Sequence, residues 1–268
     1  MTDRLRRAGR ALWLAYEYIA MVLGLGFLAC LCLLWLPFAM ILHALLPRKL
    51  GQPIGRLLIM IGFRIYLRFL ELFCACRFDL AELDALRHDK PLVLVANHPS
   101  LLDAVMIVSR FPDMVCVMKA ALMKNILLGS AARLARYIPN HAPLDVILRA
   151  RAALRDGAHL LIFPEGTRTG RFPVDTCAAS AGLIAQRAGV PVQSLLIEFS
   201  LPYLGKAWPL WRRPELPLHF RIRVGRRFAP PENVTRFGQE LEAYFRAELA
   251  GPAAASEVVP AAAREALS

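Results

Sequence analysis

His98 and Asp103 stand five residues apart in the stretch Asn97-His98-Pro99-Ser100-Leu101-Leu102-Asp103. Pro99 disfavours helix at His98, and Ser100 is a good N-cap for a helix beginning behind it. Asp103 then falls in the first helical turn, from which its carboxylate can reach back to the imidazole. A carboxylate on one ring nitrogen fixes the tautomer and raises the basicity of the other. With no nucleophile between them, such a pair suits deprotonation of a substrate hydroxyl. The spacing has a plainer reading too, because Ser100-x-x-Asp103 is also that of a capping box.

A second polar stretch is Phe163-Pro164-Glu165-Gly166-Thr167-Arg168-Thr169. Gly166 permits a tight turn. Arg168 can offer a two-pronged guanidinium to a phosphate or carboxylate. The alternative is a local Glu165–Arg168 ion pair on a surface turn.

Both stretches need elements to hold them. Pro91 to Ala96 and Leu160 to Phe163 are short apolar runs of the buried-strand kind, and each feeds directly into one polar loop. Further strands are expected at Met114–Met118, Val190–Phe199 and Leu218–Val224. Helical patterns cover Leu101–Arg110 and roughly 120–135, 144–156 and 176–188. Asn233–Ala250 reads as an amphipathic helix. Strands alternating with helices predict an α/β fold, a mixed sheet flanked by helices, whose ligands gather at strand ends. The expected organisation is a membrane-anchoring segment over 1–76, the α/β domain over 77–250 and a disordered Ala- and Pro-rich tail over 251–268.

The anchor rests on the 30 residues from Tyr18 to Pro47, which hold no Asp, Glu, Lys or Arg. As one helix they span about 45 Å, more than the hydrocarbon core requires. Arg4, Arg6, Arg7 and Arg10 precede the run, and Arg48 and Lys49 follow it, so flanking charge does not choose an orientation. Either a single span or a helical hairpin bent near Pro37 fits. The run is too long for a signal peptide, and it continues past Leu28-Ala29-Cys30, which has a faint lipoprotein-like look. Arg64, Arg68 and Glu71 share one stripe of the next apolar segment, as suits a membrane interface or a seam with the soluble domain.

Composition narrows the classes. Hydrophobic residues make up 57% and charged residues 20% of the 268-residue chain, which excludes overall disorder. The six cysteines sit in apolar runs, without the density of a secreted disulfide scaffold or the spacing of a zinc ribbon. Reduced, buried thiols in a reducing compartment are expected. There is no G-x-S-x-G elbow of a serine hydrolase. The net charge of +12 comes with no nucleic-acid-binding motif, so no nucleic-acid partner is expected. The basic stretch Lys206–Arg227, with Arg221 and Arg223 on one strand face, is either solvated or drawn to anionic headgroups or an acidic carrier protein.

Asn97–Asp103 resembles the H-x-x-x-x-D motif of the glycerolipid acyltransferase family, the lysophospholipid and 1-acylglycerol-3-phosphate acyltransferases. Phe163–Thr169 resembles that family's F-P-E-G-T-R-S motif, and the likeness extends over residues 92–196. The resemblance implies acyl transfer from acyl-CoA or acyl-carrier protein to a lipid hydroxyl. It makes His98 the general base and Asp103 its orienting partner. It places Asn97, Lys119, Glu165, Gly166, Thr167 and Arg168 at the substrate. No metal or cofactor is implied beyond the acyl donor. The expected partners are membrane lipids. The expected site is a membrane, the bacterial inner membrane, with the catalytic domain cytoplasmic. The chain departs from the family at Tyr137-Ile138-Pro139-Asn140, where an F-I-D-R-like block is usual. It departs again at Val174-Asp175-Thr176-Cys177, which lacks the usual basic residue and Gly, and at Val190–Leu195, which keeps only the first Pro of a V-P-x-x-P-V block. In the family the Arg replaced by Asn140 meets the acceptor's phosphate, so a non-phosphate acceptor stays open. A catalytically silent lipid-binding relative is the reading from another class.

Overall fold

The structure is a computed structural model that describes residues 2–125 and 128–250. The expected tail over 251–268 lies outside the described residues. Seven strands form one mixed sheet in the order β1-β7-β6-β2-β5-β3-β4. They are β1 (Cys76–Asp79), β2 (Val93–Ala96), β3 (Met114–Met118), β4 (Ile138–Pro139), β5 (His159–Ile162), β6 (Val192–Phe199) and β7 (Leu218–Phe228). All neighbours are parallel except β6 and β7. The central strands β2 and β5 are buried along their whole length, which is why they read as unbroken apolar runs rather than alternating ones. β1 lies outside the expected strands. Its four residues follow a helix closely and alternate in burial, a pattern too short to stand out.

The helices are α1 (Thr2–Leu45), α2 (Arg48–Phe73), α3 (Leu102–Val108), α4 (Ala120–Met123), α5 (Gly129–Leu134), α6 (Pro143–Arg155), α7 (Ser180–Ala188) and α8 (Val234–Leu249). The helix expected over 120–135 is two short ones. Two apolar clusters fill the space on the sheet's faces, one reaching α2 and α3 and the other α6, α7 and α8. The alternation of β7 puts Arg221 and Arg223 on the outer face, as expected. There Arg221 meets Asp79 and Glu82, and Arg223 meets Glu198 and Glu248. Their charge is balanced within the protein rather than free for an anionic partner.

The N-terminal segment differs from the hairpin bent near Pro37. Pro37 lies inside α1, a continuous helix of 44 residues, about 66 Å long. The chain reverses instead between Leu45 and Arg48. α2 runs back along α1, with Tyr16 Oη donating to the Phe73 carbonyl, Gly24 against Leu70 and Phe27 stacked on Phe69 at 4.0 Å. Among the described residues α1 is long and apolar enough to cross a membrane, and little of it is buried in the protein. Cys30 is exposed on it, unlike Cys74, Cys76, Cys116 and Cys177, which are buried. Among the described residues, no protein core covers the outward side of α1.

α2 is the seam with the α/β domain. Buried Arg56 donates to the Ala135 carbonyl and pairs with Asp113 at 2.6 Å. Arg64 donates to the Ser109 carbonyl at the end of α3. A Cβ on Gly55 would stand 2.8 Å from Leu134, so α2 approaches α5 closely because no side chain intervenes.

Candidate active site

β2 and β5 are adjacent and parallel, with Val95 opposite Ile162. Their carboxyl ends therefore deliver His98 and Glu165 to the same edge of the sheet. His98 Nδ1 lies 2.8 Å from Asp103 Oδ2. The imidazole is 16% exposed, whereas the Asp103 side chain is fully buried. Phe163 stacks beneath the ring with centroids 3.9 Å apart. One ring nitrogen is thus held by a carboxylate and the ring plane by an aromatic, which leaves Nε2 for a substrate.

The Asp103 carboxylate reaches both the imidazole and the chain entering α3, although the residue that precedes that helix is Leu101 rather than Ser100. The same Oδ2 accepts the Ser100 backbone N–H at 2.7 Å. Ser100 Oγ accepts the Leu102 N–H and donates to the Tyr203 carbonyl. Asp103 Oδ1 has no hydrogen-bond partner among the described residues. Burial accordingly pushes the Asp103 carboxyl above its ordinary range, opposed by the His98 hydrogen bond and charge and by the Ser100 N–H.

Glu165 is built into the scaffold. Its Oε1 accepts the His98 N–H at 2.8 Å and the Thr169 hydroxyl at 2.9 Å, and its Oε2 accepts the Asp175 N–H at 2.8 Å. Three protein donors occupy the carboxylate expected at the substrate. Burial raises the Glu165 pKa, and those hydrogen bonds pull it back. Arg168 forms no pair with Glu165. Its Nη1 donates to the carbonyls of Leu204 and Gly205 at 2.7 and 2.9 Å. Asn97 is buried in the sheet, its amide bonded to both the N–H and the C=O of Ile197 on β6. Its side chain, beside His98 in the sequence, is thus engaged by the β6 backbone.

Gly166 turns the second loop with φ +67° and is exposed, and Thr167 is half-buried beside it. Lys119 is exposed at the end of β3, on the same strand-end side. Asn140 is exposed at the end of neighbouring β4, where its Oδ1 accepts the Ala120 N–H. Arg133 donates to the Met123 carbonyl at 2.6 Å. A cavity of about 540 Å³ opens beside Glu165, with Arg171, Asp175, Lys206 and Arg246 in its wall.

Sequence reasoning gave no role to Thr169, whose N–H donates to the His98 carbonyl at 2.7 Å. Its place inside the second motif was the available signal. The loop at Tyr203–Gly205 also closes on the site, and its sequence carries no local mark of it.

Comparison with known proteins agrees with this geometry. Residues 77–198 match the family model described as Acyltransferase. The chain is 28% identical over 126 residues to the chloroplastic 1-acyl-sn-glycerol-3-phosphate acyltransferase BAT2 of Brassica napus, covering 45% of this chain and 36% of that protein. It is 27% identical, over 45% of this chain and 34% of the relative, to the chloroplastic 1-acyl-sn-glycerol-3-phosphate acyltransferase LPAT1 of Arabidopsis thaliana. The chain thus spans about a third of the length of the curated relatives it matches. The crystal structure of the 1-acyl-sn-glycerophosphate acyltransferase PlsC of Thermotoga maritima superposes with a TM-score of 0.63 at 18% identity, over 91% of this chain and 96% of that one. That likeness establishes the fold. Both motif loops of the acyltransferase segment, His98–Asp103 and Glu165–Thr169, lie inside the matched residues.

Proposed function

We propose that the protein is a membrane-bound O-acyltransferase that moves a fatty acyl group from an acyl thioester to a lipid hydroxyl. The donor is acyl-CoA or an acidic acyl-carrier protein. The observation that carries this reading is the 2.8 Å contact between a partly exposed His98 and a fully buried Asp103 at a strand end. His98 Nε2 takes the proton of the acceptor hydroxyl as its oxygen attacks the thioester carbonyl. The tetrahedral oxyanion collapses to the ester and expels the thiolate, which regains that proton from the imidazolium. Asp103 keeps Nδ1 protonated and stabilises the charged ring. No acyl-enzyme intermediate is needed. Gly166 and Thr167 on the second motif loop, and Lys119 at the same edge of the sheet, are the proposed substrate contacts. α1 anchors the domain, with the bacterial inner membrane as the site and the catalytic edge on its cytoplasmic side.

The names of the relatives point to a glycerolipid acceptor carrying phosphate. Asn140 favours a second reading, in which the acceptor is a hydroxyl-bearing lipid other than a phosphate monoester, because the side chain at that strand end is neutral. Lipid mass spectrometry of cells with and without the gene identifies the product. In purified protein, His98→Ala is expected to stay folded and membrane-bound while acyl transfer falls at least ~100-fold. Turnover like the wild type would overturn the assignment and favour a silent lipid-binding protein.

A further inference from the structure

The loop Tyr203–Arg213 joins two places that the sequence keeps far apart. At its inner end it packs on the catalytic loops. The Tyr203 carbonyl accepts the Ser100 hydroxyl at 2.6 Å, the Leu204 carbonyl accepts the Leu101 N–H and Arg168 Nη1, and the Gly205 carbonyl accepts Arg168 as well. A Cβ on Gly205 would lie 3.1 Å from the Pro99 carbonyl, so the backbone sits directly against the residue that follows His98. At its outer end the loop is stiffened by Trp208. The indole donates to the Arg212 carbonyl at 3.0 Å, packs edge-on against Tyr203 and lies under the Arg212 guanidinium at 4.5 Å. This clamp holds Leu210 and Trp211 outward, 54% and 75% exposed.

The outer end also touches α1. Arg213 pairs with Glu17, which is 3% exposed and accepts the Leu216 N–H as well. Because Tyr16 already meets the last residue of α2, the first turns of α1 project past α2 toward this loop. A groove of about 420 Å³ separates them, lined by Arg10, Trp13, Leu14, Glu17 and Arg213. Exposed Trp and Leu beside arginines on a rigid turn are suited to a water–hydrocarbon boundary, where an indole keeps its apolar body in lipid and its polar edge wet. The surface continues into the exposed apolar side of α1, where Arg4, Arg6, Arg7 and Arg10 join Arg212, while Glu17 is taken up by Arg213. That combination fits an anionic phospholipid surface.

We propose that the tip Trp208–Arg213 is a second membrane contact of this protein. Leu210 and Trp211 enter the interface of an anionic phospholipid bilayer while Arg212 and Arg10 meet its phosphates. Through Tyr203, Leu204 and Gly205 the contact sets the depth of the His98 loop relative to the lipid. The inference rests on the membrane-bound reading of α1.

The full chain is reconstituted in vesicles of phosphatidylcholine and phosphatidylglycerol with brominated acyl chains. A fluorescent amino acid is placed at position 211 or, as reference, at the exposed position 34 of α1. Quenching at both positions is expected. Quenching at 34 without quenching at 211 overturns the second contact alone, and no quenching at either removes the anchoring reading together with it. A position-211 signal that responds to protein concentration and not to lipid overturns it in favour of a second copy. In activity, Leu210→Ser with Trp211→Ser is expected to lower kcat/KM for a bilayer-resident acceptor by about 10- to 100-fold, the scale of a small misplacement of reacting groups. Turnover of a short-chain, water-soluble acceptor should be retained. Equal loss on both acceptors, or loss on neither, overturns the proposal. The quenching result stands even if no acyl transfer is found.

Discussion

The carboxylate of Glu165 accepts the backbone N–H of His98 at 2.8 Å. Thr169, four residues on, returns its own N–H to the His98 carbonyl at 2.7 Å. The second motif loop therefore clasps the peptide groups on both sides of the proposed base. On the proposed mechanism, Glu165 is a residue that positions His98.

Glu165→Gln tests this. The amide can keep one acceptor for His98 and Thr169, but its NH₂ then faces the Asp175 N–H, donor against donor. The expected loss of stability is about 1–3 kcal/mol, the range for a mispaired buried polar group. Acyl transfer should fall at least about tenfold, in kcat more than in KM, since a displaced base weakens the transition state more than binding. Urea unfolding and steady-state kinetics check the two parts. A rise in KM with unchanged kcat would return Glu165 to direct substrate binding.

Asp103 should separate stability from activity. Burial raises its folded pKa, so the native state holds that proton more tightly than the unfolded chain. Its contribution is fully present below the unfolded carboxylate pKa and is lost as pH rises through the folded one. Asp103→Asn removes the ionisation and offers His98 an amide in place of the carboxylate. Acyl transfer is expected to fall ~10²- to 10⁴-fold. The decline of Tm as pH rises above the ordinary carboxylate range should become shallower than in the wild type. An identical slope in both proteins would show that this carboxyl does not carry the linkage.

The motif loops were legible because their residues combine unusual chemistry with a strand end, and both loops come from sequence-local signals. β3 falls on Met114–Met118 as its apolar run predicts. What failed to show were contacts between distant segments. Nothing near Asn97 reveals that its amide belongs to Ile197, a hundred residues away. Nothing near Arg168 reveals that Leu204 and Gly205 claim its guanidinium. Pro37 misled for a different reason. Proline in a helix removes one hydrogen bond without forcing a reversal, and the flanking apolar turns of α1 continue through it.

The anchor makes a physical prediction of its own. α1 exposes Leu12, Val22, Leu34, Phe38 and Ile41, among others, with more than half the surface of each uncovered. An inserted apolar run is held by area and not by charge. The protein should therefore remain with membranes after both high-salt and alkaline washing, followed by immunoblot of the pellet. Complete release by either wash would mean that another protein surface covers α1.

The acceptor is tested most sharply at Asn140. This residue ends β4 beside the end of β3, where Lys119 begins the next turn, and its Oδ1 accepts the Ala120 N–H. A neutral side chain there forgoes one charge-assisted contact to a phosphate, worth about 1.5–3 kcal/mol. That is about 10- to 100-fold in discrimination. Lysophosphatidic acid is accordingly expected to be a poorer acceptor than another hydroxyl-bearing lipid or glycolipid. Asn140→Arg should raise its kcat/KM by about that factor and leave a non-phosphate acceptor within about threefold, as expected of a contact made to phosphate alone. Acyl transfer to an acceptor panel, with acyl-CoA and acyl-carrier protein as separate donors, measures both. If lysophosphatidic acid already has the highest kcat/KM in the wild type, the phosphate must be met elsewhere. Lys119 and the cations of the cavity beside Glu165, Arg171, Lys206 and Arg246, are then the residues to replace.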